Sequence, residues 1–288
     1  ALKTHKSHSI GVIVPQIVST FFATVVKTIE EVADGHGYNV LVISSNESFQ
    51  KEQKSVEVLM ANRADGIILA LSHETKDYEH IKMIQESGTP IVLFDRTTNE
   101  LNVSRVVTDG VTAAFQAVQH LVSEGCKKIA LLCGPENVAI GGNRMEGYEK
   151  AMEANHLPAK TELIWHCSDF TVEAGKEATR QLLSRKERPD AIFGITDDLA
   201  IGAIEAIKEK GLNIPEDIAV VGFSNTKRSR YMNPTVSSIN QFPEKIGRAA
   251  AELLFDQILN SKHAQIKKEI INCELIVRES SDRLCKTR

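Results

Sequence analysis

DAIFGITDDLAIGAIEAIKEKGLNIPEDIAVVGFSN, residues 190–225, is the stretch from which the fold can be read. It opens with an apolar run at 191–195 and crosses Thr196, Asp197 and Asp198. Leu199, Ile201, Ala203, Ile204 and Ile207 then recur at helical spacing. Gly211 ends that helix, Pro215 forbids its continuation, and 218–221 is an apolar run too short to be anything but a buried strand. The unit is strand, helix, strand. Polar residues that follow the strands of such units gather at the carboxyl edge of a parallel sheet, so Asp197 and the pair Ser224 and Asn225 are expected to face one crevice.

The same alternation runs outward in both directions. Strand patterns stand at 10–14, 40–43, 67–71, 91–94, 106–107, 129–132, 163–165, 236–239 and 270–272. Helical patterns stand at 21–33, near 50–61 and 77–86, and at 110–123, 144–154, 172–183 and 244–259. Strands apolar on both faces imply parallel sheets covered by helices on both sides, an α/β fold. A (β/α)8 barrel and two open, doubly wound lobes both satisfy the pattern. The surplus of strands over eight, and the late strands flanking the long helix 244–259, favour two lobes with the chain crossing between them more than once.

The chain has 288 residues, 42% of them hydrophobic, and a net charge of -4, enough for one large or two ordinary lobes. No basic excess points to nucleic acid; Lys3, His5, Lys6 and His8 make only a mildly basic entry. Cys126, Cys133, Cys167, Cys273 and Cys285 are odd in number and lack C-x-x-C spacing, which reads as reduced thiols. With no membrane-length apolar run and no signal peptide pattern, a cytoplasmic protein is expected. Dinucleotide, phosphate-loop, zinc-protease and serine-hydrolase motifs are missing, so no enzyme, cofactor or metal is expected.

KSHSIGVIVPQIVSTFF (6–22), MANRADGIILAL (60–71), PIVLFDR (90–96), VSEGCKKIALLCGP (122–135), NRMEGYEKAM (143–152), RPDAIFGITDDLAIGA (188–203), IPEDIAVVGFSN (214–225), NPTVSSINQFPEKIGRAAAELL (233–254) and CELIVRESS (273–281) together resemble the LacI/GalR family of transcriptional repressors. The resemblance covers nearly all of 5–281 in order. It implies two periplasmic-binding-protein-like lobes with an effector, a sugar or sugar derivative, in the cleft between them. On that basis 8–124 with 242–266 form the first lobe and 125–238 with 268–282 the second. Residues 1–7 lead in from a hinge and helix-turn-helix head that would lie upstream, and 283–288 are a tail. The implied partners are operator DNA, reached through that head, and a second copy of the chain in a homodimer.

Sugars present hydroxyls that donate and accept and a C–H face that packs on rings, so planar polar groups and aromatic plates are the residues to look for. Phe21 and Phe22 fall where relatives place stacking rings, although Phe22 also fits the helix's core stripe. Ser19 stands as a ligand contact, as the plain N-cap, or as both. Asp95 and Arg96 match a ligand-binding pair in sugar-binding relatives, with a local ion pair as the alternative. Arg144 matches the arginine that grips the effector, its planar fork suited to hydroxyls, carboxylate or phosphate. Phe170 aligns with a ring closing the ligand's other face, or packs under the following helix. Asp197 is expected to accept from hydroxyls, while Asp198 reads as a helix cap. Gln241 aligns with a polar ligand contact or lines a hinge.

The sequence departs from the family at two places. Sugar-binding relatives carry Asp where this chain has Ser224, followed by Asn225, and 138–142 is apolar or Gly where several relatives are polar. Two other readings stand beside the repressor core: a sugar-binding protein of a transport system with the same fold, and a core that answers to a phosphocarrier protein.

Overall fold

The computed structural model describes residues 6–135, 142–159, 161–261 and 263–283. The chain divides into two compact units, Ala1–Thr108 with Phe242–Ile271, and Asp109–Gln241 with Asn272–Arg288.

The first unit holds β1 (Ser9–Val14), α1 (Thr20–Gly35), β2 (Asn39–Ser44), α2 (Phe49–Ala61), β3 (Ile67–Leu69), α3 (Glu79–Glu86), β4 (Ile91–Phe94) and β5 (Ser104–Thr108). The second holds α4 (Gly110–Ser123), β6 (Ile129–Cys133), α5 (Gly142–Ala154), β7 (Ile164–His166), α6 (Val172–Leu183), β8 (Ala191–Gly194), α7 (Asp197–Glu209), β9 (Ala219–Phe223), α8 (Lys227–Tyr231) and β10 (Ser237–Asn240). The chain then returns to the first unit as α9 (Pro243–Leu259) and β11 (Lys268–Ile271) and ends in the second with β12 (Glu274–Ile276).

Each unit is a six-stranded sheet, in the order β11-β5-β4-β3-β1-β2 and β12-β10-β9-β8-β6-β7. Every pairing is parallel except β10 with β12. In the first sheet β1 lies between β2 and β3, and in the second β6 lies between β7 and β8. At each of these points the winding reverses, which in sheets of this kind is where a ligand crevice forms at the carboxyl edge.

The cores explain the strand sequences. β6, β8 and β9 are buried along their whole length, which is why they read as unbroken apolar runs. α1 turns Phe22, Val25, Ile29 and Ala33 inward at three- and four-residue spacing. α9 starts with Pro at its first turn, where a missing N–H costs nothing, and Gly247 lets it lie against α1: a Cβ there would sit 2.6 Å from the Val25 carbonyl oxygen.

Three features differ from the sequence expectations. The first boundary falls at Thr108 instead of 124, because α4 packs on α5 and also meets β10 and β12. The strand 268–271, expected in the second lobe, pairs with β5 through Lys268–Arg105 to Ile271–Thr108. The antiparallel β12 was not anticipated; it is three residues long, with no buried residue to mark it.

Candidate functional site

The carboxyl edge of the second sheet presents a row of residues in strand order. Gln241 follows β10, Ser224 follows β9, Ile195 follows β8, Gly134 follows β6 and Phe170 lies in the segment after β7. The Ser224 hydroxyl lies 3.0 Å from the Gln241 side-chain oxygen and donates to it. Arg144, near the start of α5, donates to the Ile195 carbonyl and lies over the Phe223 ring at 3.7 Å. The guanidinium is thereby held between an aromatic ring and a main-chain acceptor. Phe170 lies on Gly134, where a Cβ would be 2.1 Å from the ring, so only glycine admits the aromatic there.

Asp197 does not fit the part expected of it. It is 1% exposed, and its carboxylate accepts from the Thr226 N–H at 2.6 Å, the Thr226 hydroxyl at 2.9 Å and the Ser238 hydroxyl at 2.5 Å. Burial raises its pKa, against the lowering effect of bonds from Ser238, Thr226 and Ser229. These contacts make Asp197 the internal clamp of the loop entering α8. Asn225 is also buried; its N–H donates to Ser238 and its side-chain oxygen accepts from Arg278 at 2.6 Å. The helix cap is Thr196, accepting from the Leu199 N–H, and not Asp198, which lies 3.7 Å from Arg228.

The first sheet carries a second polar cluster at its carboxyl edge. Arg96, after β4, donates to both oxygens of Glu47, after β2, at 2.8 and 2.6 Å. His73, after β3, reaches Glu47 through its main-chain N–H at 3.1 Å and its ring Nδ1 at 3.0 Å. Asp95 stands 4.0 Å from the Arg96 Nε, and the guanidinium lies 5.6 Å from the Phe22 ring. Phe22 is core, edge-on to Phe94 at 6.1 Å, whereas Phe21 is only partly buried. Ser19 occupies the N-cap position of α1, yet its side chain makes no capping bond.

Beneath this cluster Glu52 is fully buried on α2. It accepts from the Ser72 N–H at 2.5 Å and the Thr75 hydroxyl at 2.9 Å, and its other oxygen lies 2.8 Å from His80 Nε2. The segment bearing His73 is thus tied to α2 and α3. Glu47, His73 and Glu52 were missed in the sequence, although Glu47 and His73 carry the same signal as Asp95 and Arg96: charged or polar residues just past a strand.

Among the described residues, five of the nine non-glycine residues with positive φ fall in or beside these two clusters: Asn46, Glu47, Asp95, Ser224 and Asn225. Such conformations are unfavourable for side chains with a Cβ, and their concentration at the two carboxyl edges marks where the fold holds side chains against backbone preference.

Burial works to raise the Glu47 pKa, but the Arg96 charge and the bonds from Arg96 and His73 outweigh it, and the net shift is downward from 4.5. A carboxylate depressed in the folded state stabilises the protein above its unfolded pKa, and that contribution disappears as pH falls through the folded value. Stability of the first unit should therefore fall as the pH drops below 4.5, and Glu47→Gln should flatten that part of a melting-temperature profile. Equal slopes for the two proteins below that pH would refute the assignment.

A cavity of about 540 Å³ opens elsewhere, at the amino edge of the second sheet, where Lys127, Lys128, Glu162 and Leu163 precede β6 and β7. It shares no residue with the row. Of the family-divergent stretch, 138–141 lie outside the described residues. Among the described residues no helix is long and apolar enough to cross a membrane, and no three His, Cys, Asp or Glu are placed to hold a metal ion. The buried thiols of Cys126, Cys133 and Cys167 are pushed up to about 12 by burial, which leaves them unreactive; Cys285 lies outside the described residues.

The family described as periplasmic binding proteins and sugar binding domain of LacI family matches residues 7–279. The HTH-type transcriptional repressor CytR of Escherichia coli K12 is 34% identical over 280 residues, 97% of this chain and 81% of that protein. Among solved structures, a complex of the transcriptional regulator CelR with cellobiose superposes with a TM-score of 0.86 at 28% identity, covering 96% of this chain and 85% of that one. A LacI family regulator from Enterococcus faecium with bound ribose gives 0.85 at 26% identity, covering 96% and 99%.

Proposed function

This chain belongs to the LacI family and is the effector-binding domain of a transcriptional regulator, and from that premise we propose that its effector is a sugar or sugar derivative bound by residues of the carboxyl-edge clusters. The observation that carries the reading is the row Gln241, Ser224, Arg144 and Phe170, in which the segments after β10, β9 and β7 and the first turn of α5 bring amide, hydroxyl, ring and guanidinium to one edge. Those are the groups that a polyhydroxy ring can use: donors and acceptors for its hydroxyls and an aromatic face for its C–H side. Cellobiose in CelR and ribose in the Enterococcus faecium regulator are ligands of that kind. Asp197 and Asn225 serve as scaffold and are not among the contacts. Ser19, Phe21, Asp95 and Arg96 supply the first unit's share.

The regulator acts as a homodimer on operator DNA through a helix-turn-helix head, and the effector shifts the population between two arrangements of the protein that differ in operator affinity. The ligand does this only in proportion to its differential affinity for the two arrangements. A two-fold dimer suits a pseudo-palindromic operator.

A thermal-shift panel of mono- and disaccharides, sugar acids and sugar phosphates should yield at least one compound that raises the melting temperature, since a ligand of the folded state alone stabilises it. Arg144→Ala should weaken that compound by about 2 kcal/mol, roughly thirtyfold in Kd, the size of a lost hydrogen bond to a charged group. Unchanged affinity by calorimetry removes Arg144 from the site, and a panel without a binder overturns the sugar reading.

A further inference from the structure

We propose that Glu47 sets the charge class of the effector: by pairing with Arg96 it turns the first unit's cluster into a site for uncharged hydroxyls that disfavours phosphorylated or carboxylated ligands. The inference rests on the effector reading above and adds a discrimination which that reading leaves open.

An arginine at a ligand site is by itself ambiguous, because its fork of donors suits phosphate, carboxylate and neighbouring hydroxyls alike. Here the ambiguity is removed by what surrounds it. Both Glu47 oxygens accept from the Arg96 Nη1, and Asp95 stands beside its Nε. Within this cluster Glu47 cancels the charge of Arg96, so the guanidinium that would otherwise attract an anion is already neutralised by a carboxylate. The side chains of Glu47 and Arg96 are 14% and 21% exposed, so solvent screens their attraction weakly and an incoming anion would have to compete with Glu47 for Arg96. A neutral polyol would instead meet acceptors on Asp95 and Glu47 and donors on Arg96 and Ser19.

The backbone points the same way. Asn46 and Glu47 sit consecutively in the left-handed region, at φ 49 and 61. Asn tolerates that conformation; Glu has no local reason to adopt it. The consecutive pair brings the Glu47 carboxylate to Arg96 and His73, and a solvated glutamate would need neither.

The test is calorimetry on the 288-residue protein with matched probes: glucose, ribose and cellobiose against glucose 6-phosphate, ribose 5-phosphate and cellobionate. The wild type should bind a neutral sugar at least about tenfold tighter than its anionic counterpart, and Glu47→Gln should narrow that ratio by at least about tenfold. An anionic probe that binds the wild type as tightly as its neutral partner overturns the role of Glu47 and leaves the effector reading intact, as does a ratio unmoved in a folded Glu47→Gln protein. Should that variant not fold, the wild-type ratio and its weakening at high salt decide alone. Binding of none of the six overturns the sugar reading and this inference with it.

Discussion

Gly202→Ala should destabilise the second unit by about 3 kcal/mol, the upper range for overpacking a close-packed contact. The direction is opposite to propensity, since alanine is the better helix former by about 1 kcal/mol. Gly202 sits in α7 where α6 crosses it. An added Cβ would lie 2.1 Å from the Val172 carbonyl oxygen and 2.6 Å from the Lys176 nitrogen, and both are backbone that cannot rotate away. Gly175 faces it from α6, where a Cβ would be 2.5 Å from the Leu199 carbonyl oxygen. The two glycines let the helices meet backbone to backbone, and one methyl group must push them apart. Urea unfolding measures the loss. Gly35→Ala, at the end of α1 with nothing within 4 Å of the added atom, is the control and should gain up to about 1 kcal/mol. If both substitutions stabilise, the close crossing of α6 and α7 is wrong.

Asp197→Ala should cost about 4 kcal/mol, or roughly 10 °C in the melting temperature of a unit this size. Its removal leaves the Thr226 N–H, the Thr226 hydroxyl and the Ser238 hydroxyl without their acceptor in a buried place. It also opens the space beside Gly222, where a Cβ would now meet the carboxylate at 2.5 Å. Asp197→Asn is the informative partner. It keeps one oxygen for Thr226 and presents an amide to Ser238, whose oxygen can accept, so it should cost far less. The raised pKa adds a sign that can be checked. A buried carboxylate that holds its proton more tightly when folded makes the protein lose stability as pH rises above 3.8 toward the folded value, and Asp197→Asn should remove that slope. An alanine variant that loses affinity for a sugar while keeping its full stability would return Asp197 to the ligand site and overturn its reading as a clamp.

The row at the second sheet's carboxyl edge is legible in part because strand ends are legible. Arg144, Phe170, Ser224 and Gln241 all lie in segments that apolar periodicity delimits, and the resemblance singled them out. Asp197 misled because sequence alone does not distinguish a carboxylate turned toward the crevice from one turned under the next loop. The two orientations differ by contacts with Thr226 and Ser238, which are 29 and 41 residues away. Glu47 escaped notice for a related reason. Its meaning lies in Arg96, 49 residues on, and in a left-handed backbone that nothing about a glutamate suggests.

Local sequence determined the alternation of strands and helices, the parallel sheets and the edge to which polar residues would come, because periodicity and burial on both faces act over a few residues at a time. Tertiary structure alone decided which unit takes the helix at 110–123 and the strand at 268–271. Those choices depend on packing against α5 and on pairing with β5, and an edge strand with an alternating exposed pattern fits either sheet until its neighbour is in place.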